Sequence, residues 1–256
     1  MIANEKTTTL FLPLKDKSEF ALEALKYYIE VSPCKILVMY EEGLPEDYIV
    51  NDKVSYVKNT SGRCYSKIHN NGIKHTDTEF VILTAWRSRP TIEHFHKVFE
   101  KLSEGYAVVD LCLMHFTSFG KDVLSKIGWF DEGFIFGHCE DWDFYNRIIM
   151  SKLAAYITNE VPEVKKETTW TAGRKIGPFN AENYEYYMSK WKKINRDLYL
   201  MKKEVNFKDR FFYENQYSNF KYLDNKHTFV EDSWVKKQHF DAIDRVIDET
   251  QMKFFL

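Results

Sequence analysis

The stretch from Thr8 to Tyr40, TTLFLPLKDKSEFALEALKYYIEVSPCKILVMY, decides the fold. Its opening TTLFLPL is β-branched and apolar and predicts a buried strand, and CKILVMY at its end predicts a second one. Between them, apolar residues recur at helical spacing behind Asp16 and Glu19, which we interpret as a capping box. Strand, helix and strand in this order predict two parallel strands joined by a crossover helix.

The same rhythm continues outward from this stretch. The following segments predict a strand KVSYV (53–57), a helix in GRCYSKIHNNGIKH ending near 71–72, a strand EFVILTA (79–85) and a helix from Pro90 to Gly105. The second half predicts a strand over 106–116, a short helix closed by Gly128, a helix over 140–153, the strand AAYIT and helical structure from about 183 onward.

These elements predict an α/β fold with a mixed, mainly parallel sheet flanked by helices. We divide the chain into a domain over residues 1–194 and a helical, aromatic and basic extension over 195–256 that packs on it. The end of the chain is amphipathic, and a homodimer contact or a membrane surface is an alternative use for it.

Composition excludes several classes of protein. Of 256 residues, 44% are hydrophobic, which is enough for a sizeable core. The net charge of −2 argues against a protein built around a polyanion, although a local basic groove stays open. The four cysteines are widely spaced, which favours free thiols over disulfides or zinc. With no signal peptide or transmembrane run in the sequence, we expect a cytoplasmic location.

Polar residues follow three of the predicted strands, in PLKD, YEEG and TAWRSR. Ligands of parallel α/β sheets bind at the carboxyl ends of the strands. These segments are therefore the first candidates for a binding site.

A second candidate is GHCEDWDFYNR (137–147), which holds three carboxylates, Glu140, Asp141 and Asp143, among aromatic residues. An ordinary acidic helix cap would explain EDWD alone, because the helix dipole favours acidic residues in the first turn. The preceding GWFDEGF and the α/β half upstream favour a catalytic role instead.

Together these segments resemble the glycosyltransferases of the GT-A fold, especially family 2. The resemblance lies in Gly128, Phe130, Asp131, Glu132 and Phe134, followed by Glu140, Asp141, Asp143 and Arg147. The E-D-x-D stretch is also similar to that of the β-1,4-galactosyltransferases. The resemblance covers about the first 195 residues and implies transfer of a sugar from a nucleoside-diphosphate-sugar donor to a hydroxyl of a glycan, protein or other acceptor.

The resemblance implies that Asp141 is the catalytic base, with Glu140 beside it. Successive residues of a helix diverge by about 100°, so we expect only one of the two to take the proton. A single base without an obvious second nucleophile predicts inversion at the anomeric carbon. Residues expected to contact the sugar or acceptor are Trp129, Phe136, His138, Trp142 and Lys166.

The sequence departs from the family in the motif that usually binds a metal ion. GT-A enzymes carry D-x-D after the strand that matches EFVIL, and here the residues are Thr84, Ala85 and Trp86. Arg87 and Arg89 follow, and lysines rather than histidine stand near the other usual ligand. No cofactor is predicted: Mn²⁺ or Mg²⁺ is disfavoured, and guanidinium groups would bind the diphosphate instead. A decayed donor site that only binds is the competing interpretation.

Further donor contacts are expected along the predicted carboxyl edge and the second helix. They are Leu14, Lys15, Glu41, Glu42, Arg63, Lys67 and Asn71. An ordinary solvated surface explains each of these about as well. Lone histidines such as His69 and His115 are interpreted as structural.

Two other classes of function stay open. One is a non-catalytic module of the same fold that binds a nucleotide sugar or a glycan. The other is a glycosyltransferase that modifies nucleic acid, with the basic extension holding the polymer.

Overall fold

The computed structural model describes residues 2–14, 18–41, 43, 48–61, 64–134, 138–150, 153–164, 183–184, 186–187 and 205–206. Its strands are β1 (Thr8–Leu14), β2 (Lys35–Tyr40), β3 (Val54–Lys58), β4 (Phe80–Thr84), β5 (Val108–Asp110), β6 (Phe116–Gly120), β7 (Ala155–Ile157) and β8 (Val205–Asn206). Its helices are α1 (Glu19–Val31), α2 (Tyr65–His75), α3 (Ile92–Ser103), α4 (Lys121–Ile127) and α5 (Glu140–Met150), and residues 183–184 and 186–187 are also helical.

Within these ranges the strands form one sheet in the order β3-β2-β1-β4-β6-β5-β7-β8. The first four are mutually parallel, and β5 pairs parallel with β7. Strand β6 runs antiparallel between β4 and β5, and β8 runs antiparallel to β7. The predicted mixed, mainly parallel sheet is therefore confirmed.

Helices cover both faces of the sheet. Leu10 and Leu12 of β1 point into a core formed with α1 and α3, whereas Phe11 points into a core formed with α2, α4 and α5. Successive side chains of a strand point to opposite faces, so a strand covered on both sides must be apolar throughout. This is why TTLFLPL is a continuous apolar run.

Helix α1 begins two residues later than the predicted cap. Its N-cap is Ser18, whose hydroxyl accepts a hydrogen bond from the backbone of Ala21 at 3.4 Å. Asp16 lies outside the described residues. Serine caps a helix as well as aspartate does, so the residue directly before the apolar stripe takes the position.

The prediction that α2 ends near Gly72 is wrong, because the helix continues to His75. A Cβ atom at Gly72 would lie 2.2 Å from the ring of Phe11. The glycine is therefore a packing requirement inside the helix and not a stop signal.

The predicted strand over 106–116 is two strands joined by a tight turn. The carboxylate of Asp110 accepts hydrogen bonds from the backbone N–H groups of Cys112 and Met114, both at 2.8 Å. Leu113 and Met114 have φ angles of 44° and 68°, which reverse the chain into β6. A carboxylate that binds its own following backbone competes with strand pairing, and the alternation of residue types does not reveal it.

The extension predicted as helical contains β8, which pairs Val205 with Ile157 and Asn206 with Tyr156. Without β8, strand β7 would be an edge strand with unpaired backbone groups, and β8 pairs with these groups. The rest of residues 195–256 lies outside the described residues. Within the part of the chain that the structure describes, no helix is long and apolar enough to cross a membrane.

Candidate active site

The register of the sheet brings several chain segments to one edge. Leu14, Tyr40 and Lys58 end adjacent parallel strands. At the same edge Thr84 faces Phe116, and Asp110 lies opposite both Thr117 and Ile157. The candidate site lies at this edge, which we call the carboxyl edge.

The three carboxylates of EDWD have different environments in the first turn of α5. Asp143 is fully buried and Glu140 is 6% exposed, whereas Asp141 is half-buried. Glu140 Oε2 accepts a hydrogen bond from the backbone of His138, and Asp141 Oδ1 accepts one from Trp142 at 2.8 Å. Asp141 is therefore the carboxylate of the three that a ligand can reach most easily.

Asp143 is part of the core and not of a charged surface. Its Oδ2 lies 2.9 Å from Nε of Arg147 one turn further along α5. Arg147 Nη1 also donates to the carbonyl oxygens of Ile127 and Gly128, at 2.6 and 3.1 Å. This pair fixes α5 to the end of α4, so the Asp and Arg of the quoted pattern are structural here.

The FDE segment before α5 is also structural. Asp131 is fully buried and accepts hydrogen bonds from the backbone of Gly133 and the hydroxyl of Tyr186, at 2.8 and 2.9 Å. The amide of Asn70 on α2 donates to the Glu132 carboxylate at 2.9 Å and to the Phe130 carbonyl at the same distance. These contacts fix the chain that leads into α5.

Negative charge converges where the amino ends of α2 and α5 meet the carboxyl edge. Burial raises the pKa of Tyr65 well above its usual value, and the charges of Glu140, Asp141 and Asp110 raise it further. Burial, and then the charge of Asp141, raise the pKa of Glu140 from 4.5 to about 8. Burial is also the largest cause that raises the pKa of Asp110 to about 7, and Asp141 adds to it.

A cation lies at the same edge, in the loop after β4. Arg87 Nε donates to Glu163 Oε1 at 2.8 Å, and one Nη of Arg87 lies 2.8 Å from Nε2 of His115. His115 Nδ1 in turn lies 2.5 Å from the same Glu163 oxygen. We call these three residues the Arg87 cluster. The charge of Arg87 lowers the pKa of Tyr65, so this cation and the carboxylates act on the same phenol.

The residues that stand in place of D-x-D cannot supply metal ligands. The Thr84 hydroxyl is buried and shared among Tyr28, Ser88 and the carbonyl of His115. Ala85 has no side-chain ligand atom. Trp86 is 37% exposed and offers an indole ring, which is a surface for stacking and not a ligand.

The Arg87 cluster does not fit a divalent cation either. Cys112 joins His115 and Glu163 in a group whose potential ligand atoms lie within 4.8 Å of one another. Burial raises the pKa of the Cys112 thiol to about 12, so binding a metal ion there would first require removal of a tightly held proton. The guanidinium group of Arg87 already contacts the other two side chains, and its positive charge opposes a metal ion.

Arg89 is not directed to the same place as Arg87. Its guanidinium group donates to the carbonyl oxygens of Trp86 and Ser88, lies over the ring of Tyr27 at 5.1 Å and approaches Glu23 at 3.9 Å. Arg89 therefore ties the loop to α1.

The other donor residues predicted from sequence are spread along the first half of the edge. Leu14 is buried in the core, whereas half-buried Glu41 accepts a hydrogen bond from Asn59 at 3.3 Å. Lys67 lies in the first turn of α2. Asn71 lies one turn later and contacts the sulfur of Met39 at 4.0 Å.

The predicted sugar-binding aromatics are not brought together. Trp142 is 7% exposed and packs against Tyr187, with His138 on another side. Trp129 has Lys74 over its ring at 5.5 Å. Lys74 is in the last turn of α2, about 14 Å along the helix from Tyr65 at 1.5 Å per residue, so Trp129 lies away from the carboxyl edge.

The remaining predicted contacts lie outside the described residues: Lys15, Glu42, Arg63, Phe136 and Lys166.

Sequence reasoning missed four residues of the site, Tyr65, Asp110, His115 and Glu163. Asp110 ends the apolar run YAVVD, so the rule applied to the other strand ends could have found it. His115 was interpreted as structural. Glu163 gives no local signal, because its partner Arg87 is 76 residues away in the chain.

No protein-family model and no curated protein sequence matches the chain. Among solved structures, the chain is similar to mannosyltransferase PcManGT from Pyrobaculum calidifontis in complex with GDP-Man and Mn²⁺, with a TM-score of 0.51 and 15% identity over 72% of this chain and 71% of that chain. It is also similar to residues 1–349 of TarS from S. aureus, with a TM-score of 0.43 and 9% identity over 56% of this chain and 55% of that chain.

At 15% identity, the likeness to the mannosyltransferase is one of fold. The chain has a GT-A-like α/β fold, in which helices flank a mixed, mainly parallel sheet.

Proposed function

We propose that this chain is a glycosyltransferase that moves a sugar from a nucleoside-diphosphate donor to an acceptor hydroxyl. The observation that carries the proposal is the position of Asp141. It is a half-buried carboxylate at the amino end of α5, and its charge acts on Tyr65 and Asp110 at the carboxyl edge. Ligands of open α/β sheets bind at this edge.

Asp141 is the general base of the proposed reaction, and the amino end of α5 that carries it is held by several contacts. Buried Asp143 and Arg147 fix the helix, and Glu140 binds the backbone of His138. His138 and Cys139 have φ angles of 124° and 71°, a conformation that costs energy in residues other than glycine and is found at functional sites. A positioned base needs such contacts, because small displacements slow proton transfer.

The reaction is a single displacement. The acceptor oxygen gives its proton to Asp141 and forms a bond to the anomeric carbon. The bond from that carbon to the diphosphate breaks, and the nucleoside diphosphate leaves with the electron pair. One displacement at one carbon inverts its configuration.

Arg87 stabilises the leaving diphosphate in this proposal, without a metal ion. Guanidinium groups bind phosphate oxygens through charge-assisted hydrogen bonds and stabilise charge that develops on them. The lack of carboxylates at Thr84, Ala85 and Trp86, with Arg87 next to them, supports this assignment.

A ligand screen followed by a transfer assay tests the proposal. Nucleoside diphosphates and their sugars should raise the melting temperature of the full chain, since a ligand that binds the folded state stabilises it. GDP-mannose is the first donor to try, because the similar mannosyltransferase structure contains it. Incubation of a binding donor with acceptor hydroxyls should then release nucleoside diphosphate and form an inverted glycoside, which NMR identifies.

Other outcomes would favour the other classes. A donor that binds but is neither transferred nor hydrolysed indicates a binding module. Salt-sensitive binding of DNA or RNA, with transfer to that polymer, indicates an enzyme that modifies nucleic acid.

A further inference from the structure

The three side chains of the Arg87 cluster contact one another through polar atoms. Glu163 Oε1 accepts from Arg87 Nε at 2.8 Å and from His115 Nδ1 at 2.5 Å. One Nη of Arg87 lies 2.8 Å from Nε2 and 3.1 Å from Nδ1 of His115.

Three loops at the carboxyl edge hold the Arg87 cluster in place. The backbone of Ala85 donates to the carbonyl of His115 at 3.2 Å, and that of Val164 donates to the carbonyl of Arg87 at 2.8 Å. The Asp110 carboxylate holds the turn that presents His115. The Arg87 cluster is therefore organised before any ligand binds.

The Arg87 cluster is also accessible to solvent. The side chains of Arg87, His115 and Glu163 are 37%, 27% and 34% exposed. Each of the three side chains therefore has exposed surface that a ligand can contact.

We propose that His115 is the second cation of the diphosphate subsite and that Glu163 positions both His115 and Arg87 for it. This inference rests on the proposed function. An oxygen of the diphosphate replaces the hydrogen bond between Arg87 and Nε2. Nε2 takes a proton from solvent, and the oxygen then accepts from both groups. Glu163 keeps its hydrogen bonds to Arg87 Nε and His115 Nδ1 throughout.

The groups that face His115 determine the sign of the pH dependence. Arg87 opposes the protonated form and Glu163 favours it. The Cys112 thiol stays neutral because burial raises its pKa to about 12, and His69 on α2 stays neutral because burial lowers its pKa to about 4. A bound diphosphate adds negative charge, so binding should take up a proton.

The experiment measures binding of dimethyl diphosphate, with one methyl ester on each phosphate, to the full chain. This probe has no proton that titrates near neutral pH. Affinity should rise as pH falls, by at most about tenfold per pH unit for one proton. Calorimetry in two buffers with different ionisation enthalpies counts the proton.

His115→Asn is the decisive variant. Asparagine keeps an N–H close to the position of Nδ1 but cannot take up a proton, so binding should lose its pH dependence. His96→Asn, on the exposed face of α3, is the matched control and should keep it. Glu163→Gln should weaken binding across the whole pH range, because both cations lose the charge that positions them.

Equal pH dependence in the unaltered protein and in His115→Asn, with both folded by circular dichroism, would overturn the inference. The outcome is separate from that of the proposed function. If no donor is transferred but binding of the probe still takes up one proton through His115, the enzyme proposal fails and the anion subsite stands. If transfer occurs and His115→Asn changes nothing, only this inference fails.

Discussion

Asp143 and Arg147 form a buried ion pair, with Nε of the arginine 2.9 Å from Oδ2 of the aspartate and side-chain exposures of 0% and 3%. Both ends of the pair belong to the segment whose sequence pattern suggests a catalytic cluster. Their geometry shows that one of the three carboxylates of EDWD stabilises the fold.

The first prediction concerns this pair. Asp143→Asn leaves the charge of Arg147 buried without its partner and should lower the free energy of unfolding by about 3–5 kcal/mol. Urea titration followed by circular dichroism measures the change. Asp52→Asn, at an exposed position, should have almost no effect. A small, equal effect of both variants would contradict a structural role for Asp143.

The second prediction concerns the base. Asp141→Asn keeps the size of the side chain but cannot take a proton, and should reduce the transfer rate about 10²- to 10⁴-fold. Glu140→Gln should do less damage, because its neutral amide can still accept from His138. Donor affinity should barely change in either variant. Near-normal transfer by Asp141→Asn together with an inactive Glu140→Gln would assign the base to Glu140.

The third prediction separates the two arginines and tests the role of metal. Arg87→Ala should weaken diphosphate binding about ten- to hundredfold, the cost of losing hydrogen bonds to a charged group. Arg89→Ala should leave that affinity near the unaltered value, because its guanidinium group faces Glu23 and Tyr27.

Transfer should persist in EDTA. Activity that disappears with the chelator and returns with Mn²⁺ would refute this assignment.

The fourth prediction is a pH dependence of stability. Because burial and Asp141 raise the pKa of Glu140 from 4.5 to about 8, the folded state holds a proton that the unfolded state releases over this range. Stability from this group is therefore present at low pH and lost as pH rises towards 8.

Glu140→Gln removes this titration and leaves Asp110, whose pKa is also raised, in both proteins. The melting temperature of the variant minus that of the unaltered protein should increase from about pH 5 to about pH 8. Parallel melting curves across this range would show that Glu140 titrates normally.

The fifth prediction concerns the contact between α2 and β1. Gly72→Ala places a methyl group 2.2 Å from the ring of Phe11 and should destabilise the protein by about 1–3 kcal/mol, despite the better helix propensity of alanine. Phe11→Leu should cost less in the Gly72→Ala background than in the unaltered protein, because it removes the clash. Additive effects of the two changes would mean that the residues do not touch.

The sequence predicted those elements whose signals are local. The strands β1, β2 and β4 were placed within about one residue, because both faces are covered and apolar runs mark them. Helix α5 was expected from Glu140 onward, where the acidic first turn and the stripe of Phe144 and Ile148 agree. The end of α2 could not be predicted, since the requirement for Gly72 comes from a ring on another element.

For the candidate site, sequence located the carboxyl edge and EDWD but not the contacts between them. Local spacing cannot show that Asp143 turns inward to Arg147 while Asp141 stays accessible. It also cannot show that Arg87 and Arg89, two residues apart, point to different partners. These differences come from packing and from loops that meet only in the folded chain.

The span of 76 residues between Arg87 and Glu163 has a consequence for the order of folding. Strands β2 and β3 each pair with the preceding strand of the chain, whereas β4 pairs with β1 across a long stretch of chain, with Thr8 opposite Phe80. Arg87 meets its counter-ion only after β5, β6 and β7 have joined the sheet, which requires closure of a long loop. The Arg87 cluster is therefore among the last contacts of the molecule to form.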